Sequence, residues 1–527
     1  MTTSAPTSTS AGDKLDSRVL KISGVVVIGA IMSILDVTVV SIALPTFMRV
    51  FSAQYSTVAW TMTGYTLALA AVIPVTGWAA DRFGTKRLYL LALLLFVAGS
   101  VACGLSWSIG SLIMFRVIQG LGGGMLMPLG MTIMTHAAGP KRIGRVMAVL
   151  GVPMLLGPIG GPILGGWLIE AASWHWIFFI NLPIGIIAIV TAMRVLPSDR
   201  PQPSESFDFL GMLLLSPGLA AFLYGVSSTP RTGTIANAEV LVPAIIGIVL
   251  MAAFVLHALH KQHPLIDLGL FKHRQLTLAV ITMSLFAIAF FGSMLLFPSY
   301  FLQVRGEETL PTGLLLAPQG IGAMLSMPIA GKLTDRMGPG RFVLSGIVLI
   351  ALGMGVFTQI GADTSYVLIL GALFVMGLGM GMTMMPIMTA ALASLTHHEV
   401  ARGSTLMNII QQAAGSVGTA VMSVILTNAT LSRPAAMMYS GALQQPGTTV
   451  EQIPDAIRVP GQAALAESFN STFWVALVLI VLCLVPAAFL PRRRPEIAHE
   501  DEDSDDGAEA ADGVGDSDDA APALPLH

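Results

Sequence analysis

Between about residues 20 and 490 the chain is a succession of charge-poor stretches of roughly 20 residues, each long enough to cross ~30 Å of hydrocarbon as a helix. About fourteen can be placed, near 20–45, 58–80, 88–106, 110–135, 146–169, 176–196, 209–227, 239–257, 276–302, 313–334, 342–360, 366–390, 404–428 and 472–490. Only 11% of residues are charged and 54% are hydrophobic. A soluble domain carries about 25% charge, so an ordinary globular protein is excluded. Prolines and glycines are plentiful, which membrane helices tolerate.

One charged pattern occurs twice, each time at the end of an apolar stretch. The first copy is GWAADRFGTKR, Gly77 to Arg87, and the second is GKLTDRMGPGR, Gly331 to Arg341, 254 positions later. Gly77, Asp81, Arg82, Gly84 and Arg87 match Gly331, Asp335, Arg336, Gly338 and Arg341 offset for offset. A repeated, glycine-bracketed loop between membrane helices points to a transporter made of two related halves. At roughly 30 residues per helix, 254 positions correspond to about eight helices rather than six. The simplest layout is six helices, an inserted pair, and six more.

The expected architecture is therefore an all-α integral membrane protein with two six-helix pseudo-repeats. Its parts are an N-terminal tail (1–19), a first bundle (20–196), an inserted pair with flanking loops (197–275), a second bundle (276–490) with an outer loop at 429–471, and an acidic tail (491–527). Residues 496–527 hold twelve acidic groups and no Lys or Arg, a composition that predicts disorder. Of the 27 Lys and Arg, twenty-one fall on the side of both termini, five on the opposite side, and Arg116 within the membrane. The positive-inside rule then places both termini in the cytoplasm. Trp60, Trp107, Trp167, Trp174, Trp176 and Trp474 fall near outer helix ends, as in an interfacial belt. Cys103 and Cys483 stand singly in apolar segments and read as structural thiols.

The repeated loop resembles the signature loop of the major facilitator superfamily, Gly-x-x-x-Asp-Arg-x-Gly-x-x-Arg. Fourteen helices in a six-two-six layout resemble its larger drug:proton antiporter subfamily. Further stretches resemble that subfamily's motifs: Leu35–Pro45 in the first helix (with Ser41 where Asn is usual), Trp60–Leu67 in the second, Leu112–Gly124 in the fourth, Gly151–Gly166 in the fifth, and Trp174–Gly185 entering the sixth (with His175 for Arg). The resemblance implies proton-coupled export of lipophilic, often cationic compounds by alternating access. Its fifth-helix antiporter motif covers Gly157, Pro158, Gly161, Pro162 and Gly165. Read physically, Gly157, Gly161 and Gly165 share one helix face and permit close packing, while the prolines can bend the segment.

Asp36 lies mid-helix, where a carboxylate costs about 2.5–3.5 kcal/mol on insertion scales, so a cavity-facing position is expected. Arg116 stays charged and must face polar groups or water. The two are candidate proton-coupling residues, with Asp36 as carrier and Arg116 as its tuning cation; a fixed structural pair is the alternative. Asp81 and Asp335, with their neighbouring arginines, are candidate latch residues, each placed to meet a helix N-terminus. The first copy is expected to matter more, because the second has Pro339-Gly340 where Thr85-Lys86 stand. Tyr65, Gln119, Tyr300, Gln303, Asn408, Gln411 and Gln412 are polar groups that either line a substrate cavity or bond between helices.

No Lys is followed by Ser or Thr, so a Walker A ending is absent, and Arg402 breaks the His-Glu-x-x-His pattern begun at His398. An ion gradient is then the expected energy source. No cofactor, metal or nucleic-acid partner is expected; the partners are small lipophilic molecules, protons and the bilayer, with the chain a monomer in a bacterial inner membrane. The alternative on the same fold is a dedicated exporter of one metabolite, lipid or siderophore.

Overall fold

The structure is a computed structural model that describes residues 16–492 apart from 54, 140–141, 198–206, 397–398 and 444–449, with the side chains of 45, 55–56, 152–159, 162–163, 230–231, 309–310 and 451 also outside the described residues. The acidic tail beyond 492 and most of the N-terminal tail therefore lie outside this description. Among the described residues the chain is helical throughout, without strands.

The first six long helices are α1 (Ser17–Val50), α2 (Tyr55–Phe83), α3 (Thr85–Gly104), α4 (Ile109–Ala138), α5 (Ile143–Ala171) and α6 (Trp176–Val195). Then come α7 (Phe209–Ser227) and α8 (Ala238–His260). The last six are α9 (Arg274–Gln303), α10 (Thr309–Met337), α11 (Pro339–Phe357), α12 (Tyr366–Leu392), α13 (Val400–Leu431) and α14 (Asp455–Ala487). Thirteen of them are long and apolar enough to span a membrane among the described residues. The fourteenth, α5, runs 29 residues with Arg145 and Glu170 near its ends as its only charges.

Helices α1–α6 pack on one another, as do α9–α14. The two groups meet through α5 against α10 and α12, and through α13 against α2 and α4. Helices α7 and α8 pair with each other, and α7 leans on both α2 and α13. Tyr224 of α7 stacks on Trp60 of α2, with ring centroids 5.5 Å apart. Most of α8 is exposed, as expected of an apolar helix facing lipid.

The glycines of the repeated loop have a backbone reason. Gly84 (φ 87°) ends α2 and Gly338 (φ 84°) ends α10, both in the left-handed region that a side chain strains. Each permits a tight reversal into the next helix. The two reversals are close in both angles (ψ 143° and 151°), so the sequence repeat is also a repeat of conformation.

Two expectations need correction. The stretch 429–471 is not a loop throughout: α13 continues to Leu431, a short helix covers Pro434–Leu443, and α14 begins at Asp455. Polar residues obscured this helical extension, which is held by packing and polar bonds. Tyr439 covers Gly461, and Arg433 bonds Ser471 Oγ at 3.0 Å. Trp474 consequently lies well inside α14 rather than near its end. Trp174 is buried against Phe47, Phe51 and Phe178 instead of sitting in an interfacial belt; Trp60, Trp107, Trp167 and Trp176 are exposed.

A polar tie joins the two ends of the inserted pair. Asp208 caps α7 by accepting from Gly211 N–H (3.0 Å), and also accepts from Leu265 N–H (3.1 Å) and bonds His257 Nε2 (2.8 Å). Burial alone would raise its carboxyl, but these donors outweigh burial and hold it below the ordinary value. A carboxyl lowered on folding stabilises above its unfolded value of 3.8, and that stabilisation is lost as pH falls through the folded one. Asp208→Asn should therefore cost about 1–3 kcal/mol near pH 7. Thermal unfolding of the detergent-solubilised protein should show this penalty shrinking below 3.8. A penalty independent of pH would assign the effect to shape rather than charge.

Candidate functional site

The long-range partner of Asp36 is Arg116. They form a buried ion pair, Arg116 Nη1 to Asp36 Oδ2, with side chains 1% or less exposed. Asp36 Oδ1 accepts from Gln119 Nε2 at 2.8 Å and from Asn181 Nδ2 at 3.3 Å. Arg116 also gives Nη1–H to Gln119 Oε1 (2.8 Å) and Nε–H to Thr61 O (3.0 Å). The Tyr65 ring lies under the guanidinium, 4.1 Å from ring centroid to Cζ, and Tyr65 Oη pairs with Ser33 Oγ at 3.2 Å. Thus α1, α2, α4 and α6 each place a polar group in one buried cluster.

The glycines of α4 make this convergence possible. A Cβ on Gly120 would come within 2.5 Å of Tyr65 O, and one on Gly123 within 2.5 Å of Tyr65 Oη, so both must be small for α2 to approach. On the other flank, a Cβ on Gly99 of α3 would lie 2.7 Å from Gln119 Cα. From α5, Gly161 abuts Thr38 and Gly165 abuts Val39, both just after Asp36 on α1. The side chains of Pro158 and Pro162, and the surroundings of Gly157, lie outside the described residues.

The pair is not fully satisfied. Arg116 Nη2 is buried with no hydrogen-bond partner among the described residues.

The repeated loops meet the opposite group of helices. Asp335 sits over the start of α5, accepting from Gly144 N–H at 2.8 Å and Arg145 N–H at 3.3 Å, with Arg145 Nε 3.6 Å away. Asp81 pairs with Arg402, three residues into α13, at 3.4 Å. The leading glycines allow both approaches: a Cβ on Gly331 would lie 2.6 Å from Gly144 O, and one on Gly77 would be 3.2 Å from Thr405 Oγ1. Arg82, Arg87, Arg336 and Arg341 are exposed around the two reversals. A second layer joins Thr132 of α4 to Ser404 of α13 at 3.0 Å. The two groups of helices are thus closed on each other at the end that carries the loops.

The remaining polar candidates do not gather. Gln119 and Tyr65 belong to the Asp36 cluster and are buried in it. Tyr300 is buried at the far end of α9, donating to Gly361 O at 2.7 Å, and Gln303 is exposed at that helix's end; neither joins the others in a central lining. Asn408 bonds Ser404 O at 2.8 Å beside Met131, while Gln411 and Gln412 are half-buried on α13.

The profile of the Major Facilitator Superfamily matches residues 26–419. The chain belongs to this superfamily. Among curated relatives, the multidrug resistance protein B homolog of Mycobacterium tuberculosis H37Rv is 50% identical over 495 residues, 92% of each chain. The multidrug export protein EmrB of Escherichia coli K12 is 29% identical, covering 86% of this chain and 92% of its own. Among solved structures, the human organic anion transporter MFSD10 aligns with TM-score 0.58 at 15% identity, covering 88% of this chain and 100% of that one. The proton:xylose symporter XylE aligns with TM-score 0.53 at 14% identity, covering 89% and 96%. These two establish the fold alone.

This major facilitator superfamily chain is a multi-pass membrane transporter of small molecules rather than an enzyme, with multidrug efflux proteins among its homologues. Sequence reasoning missed Asn181, Arg145 and Arg402. The first stands in the quoted stretch entering α6. The other two share a signal: each is the third residue of its helix, α5 or α13.

In this superfamily member the burial of the two carboxylates favours the opposite ranking of the two loops. Asp335 has a side chain 4% exposed and two backbone donors, whereas the Asp81 side chain is 32% exposed. Buried charge-assisted bonds exceed exposed pairs in strength, so Asp335→Asn should open the loop end more than Asp81→Asn. Spin-label distances between the loop-end tips of α5 and α10 would show it. Equal or reversed shifts would reject this ranking.

Proposed function

We propose that this transporter is a proton-coupled antiporter that exports lipophilic, often cationic compounds by alternating access, with Asp36 as the proton carrier. Support comes from the Asp36 cluster. Among the described residues Asp36 is the buried acid in the middle of a spanning helix; Asp208 caps the start of α7 and Asp335 lies at the loop end of α10. Ionised, its carboxylate engages Arg116, Gln119 and Asn181 at once. Protonation removes the charge that holds Arg116 and turns one oxygen from acceptor into donor. The cluster must then rearrange across α1, α4 and α6. Arg116 remains a cation throughout, so loss of a proton from Asp36 restores the pair.

On this reading the two six-helix halves rock against each other, with α7–α8 as an insertion. The loop latches Asp335–α5 and Asp81–Arg402 close one mouth. By the Lys and Arg asymmetry, that mouth and both termini face the cytoplasm across a bacterial inner membrane. Work is drawn from the proton gradient without a cofactor, and a monomer contains every part. The 50% identical multidrug resistance homolog favours drug export over a single-metabolite exporter on the same fold.

A single carrier has an energetic signature. Exchange of one proton for one monovalent cation moves no net charge, so it draws on the pH difference and ignores the membrane potential, worth about 2.3 kcal/mol per charge per 100 mV. In proteoliposomes, transport of a monovalent lipophilic dye should follow an imposed pH gradient and be abolished in Asp36→Asn, which should still be expressed and folded. Undiminished gradient-driven transport by that variant would remove Asp36 as carrier. Dye accumulation driven by voltage alone would require a second coupled proton, and exposed Glu170 would be the first site to test.

A further inference from the structure

At the loop end of the first helix group, away from Asp36, lies a cavity of about 370 Å³. It is lined by Arg18 and Val19 of α1, Thr85 and Lys86 of α3, His136 of α4, and Arg142 at the N-cap of α5, with Asp16 as the lining carboxylate. Three permanent cations thus face one acid, before any charge on His136.

Backbone charge adds to this. Helices α1 and α3 both begin at the cavity, and their N-caps, Asp16 and Gly84, provide no side-chain cap bond. Their first amide groups present the positive end of the helix dipole. The opposing end of α6 is neutralised, because Lys86 Nζ donates to Met193 O at 2.9 Å and Leu196 O at 2.6 Å. The α5 start contributes only its Arg142 side chain, since Asp335 already occupies its amides. Among the described residues the Arg18 side chain forms no hydrogen bond or ion pair, and the Arg142 side chain commits only Nε, to Ala138 O at 3.1 Å. Guanidinium groups with amino donors to spare match the paired oxygens of a phosphate.

We propose that this cavity is a phosphate-binding site, with Arg18 and Arg142 as cationic ligands, the amide end of α1 completing it, and Lys86 adding its charge from the wall. Its volume suits a phosphate-bearing headgroup. Exposed Leu20 and Met193, next to lining or bonded residues on α1 and α6, offer an apolar flank for acyl chains. Two sources carry this chemistry: an anionic phospholipid of the adjoining leaflet, or a free phosphate ester. Binding here is independent of the proton-coupling reading, because it needs neither Asp36 nor a gradient.

The test is native mass spectrometry of the full-length protein in detergent, titrated separately with phosphatidylglycerol, phosphatidylcholine and inorganic phosphate. Phosphatidylglycerol should bind about tenfold or more tightly than zwitterionic phosphatidylcholine, and Arg18→Gln/Arg142→Gln should weaken it by about thirtyfold. Displacement of bound phosphatidylglycerol by millimolar phosphate in the wild type checks the site without any variant. Lipid selectivity lost in the double variant identifies the lipid as source. Saturable phosphate binding lost in that variant, without lipid selectivity, identifies a soluble ester and still supports the site. Absence of both kinds of binding in the wild type, or their full retention in the double variant, would overturn it.

Discussion

Holding two opposite charges inside hydrocarbon is the constraint around which the first six helices are arranged. A guanidinium cannot shed its charge, and an ionised carboxylate away from water is expensive unless it is paired and bonded. The solution brings Asp36 of α1 to Arg116 of α4 and encloses both with Gln119, Asn181, Thr61 O and the Tyr65 ring. That enclosure demands close helix approach on several sides. Glycines at 99, 120 and 123 provide it, since each would otherwise drive a Cβ into a neighbouring helix. The glycine-rich run after Arg116 is therefore part of the electrostatic solution as much as of the packing.

A second theme is that repeated sequence yields repeated backbone but not repeated electrostatics. Gly84 and Gly338 adopt nearly the same conformation, and each leading glycine admits the fifth helix of the opposite group. Yet Asp335 settles on amides at the start of α5 with its side chain 4% exposed, while Asp81 pairs with the Arg402 side chain and is 32% exposed. The difference arises from depth. A carboxylate that reaches a helix terminus gains both dipole and hydrogen bonds, whereas a more exposed one is screened by water.

The places where expectation and structure part are instructive. Residues 455–471 read as a loop because polar side chains interrupt the apolar run, but a helix needs only one packed face, and Tyr439 over Gly461 supplies it. Trp174 reads as an interfacial anchor by its position near a helix end, but Phe47, Phe51 and Phe178 cage its ring and bury it. Tyr300 and Gln303 read as cavity residues by polarity alone, and polarity does not say toward which neighbour a helix face turns.

By itself the sequence determined the membrane-spanning helices, their number, the glycine reversals, and that Asp36 and Arg116 must find partners. These follow from local physics: the length of apolar runs, the conformational freedom of glycine, and the cost of an isolated charge in lipid. Tertiary structure alone decided which partners they found. Asp36 lies 80 residues from Arg116 and 145 from Asn181, and Thr132 lies 272 from Ser404. Such pairings depend on how helices rotate and approach, which is set by the packing of all their faces together rather than by any one segment.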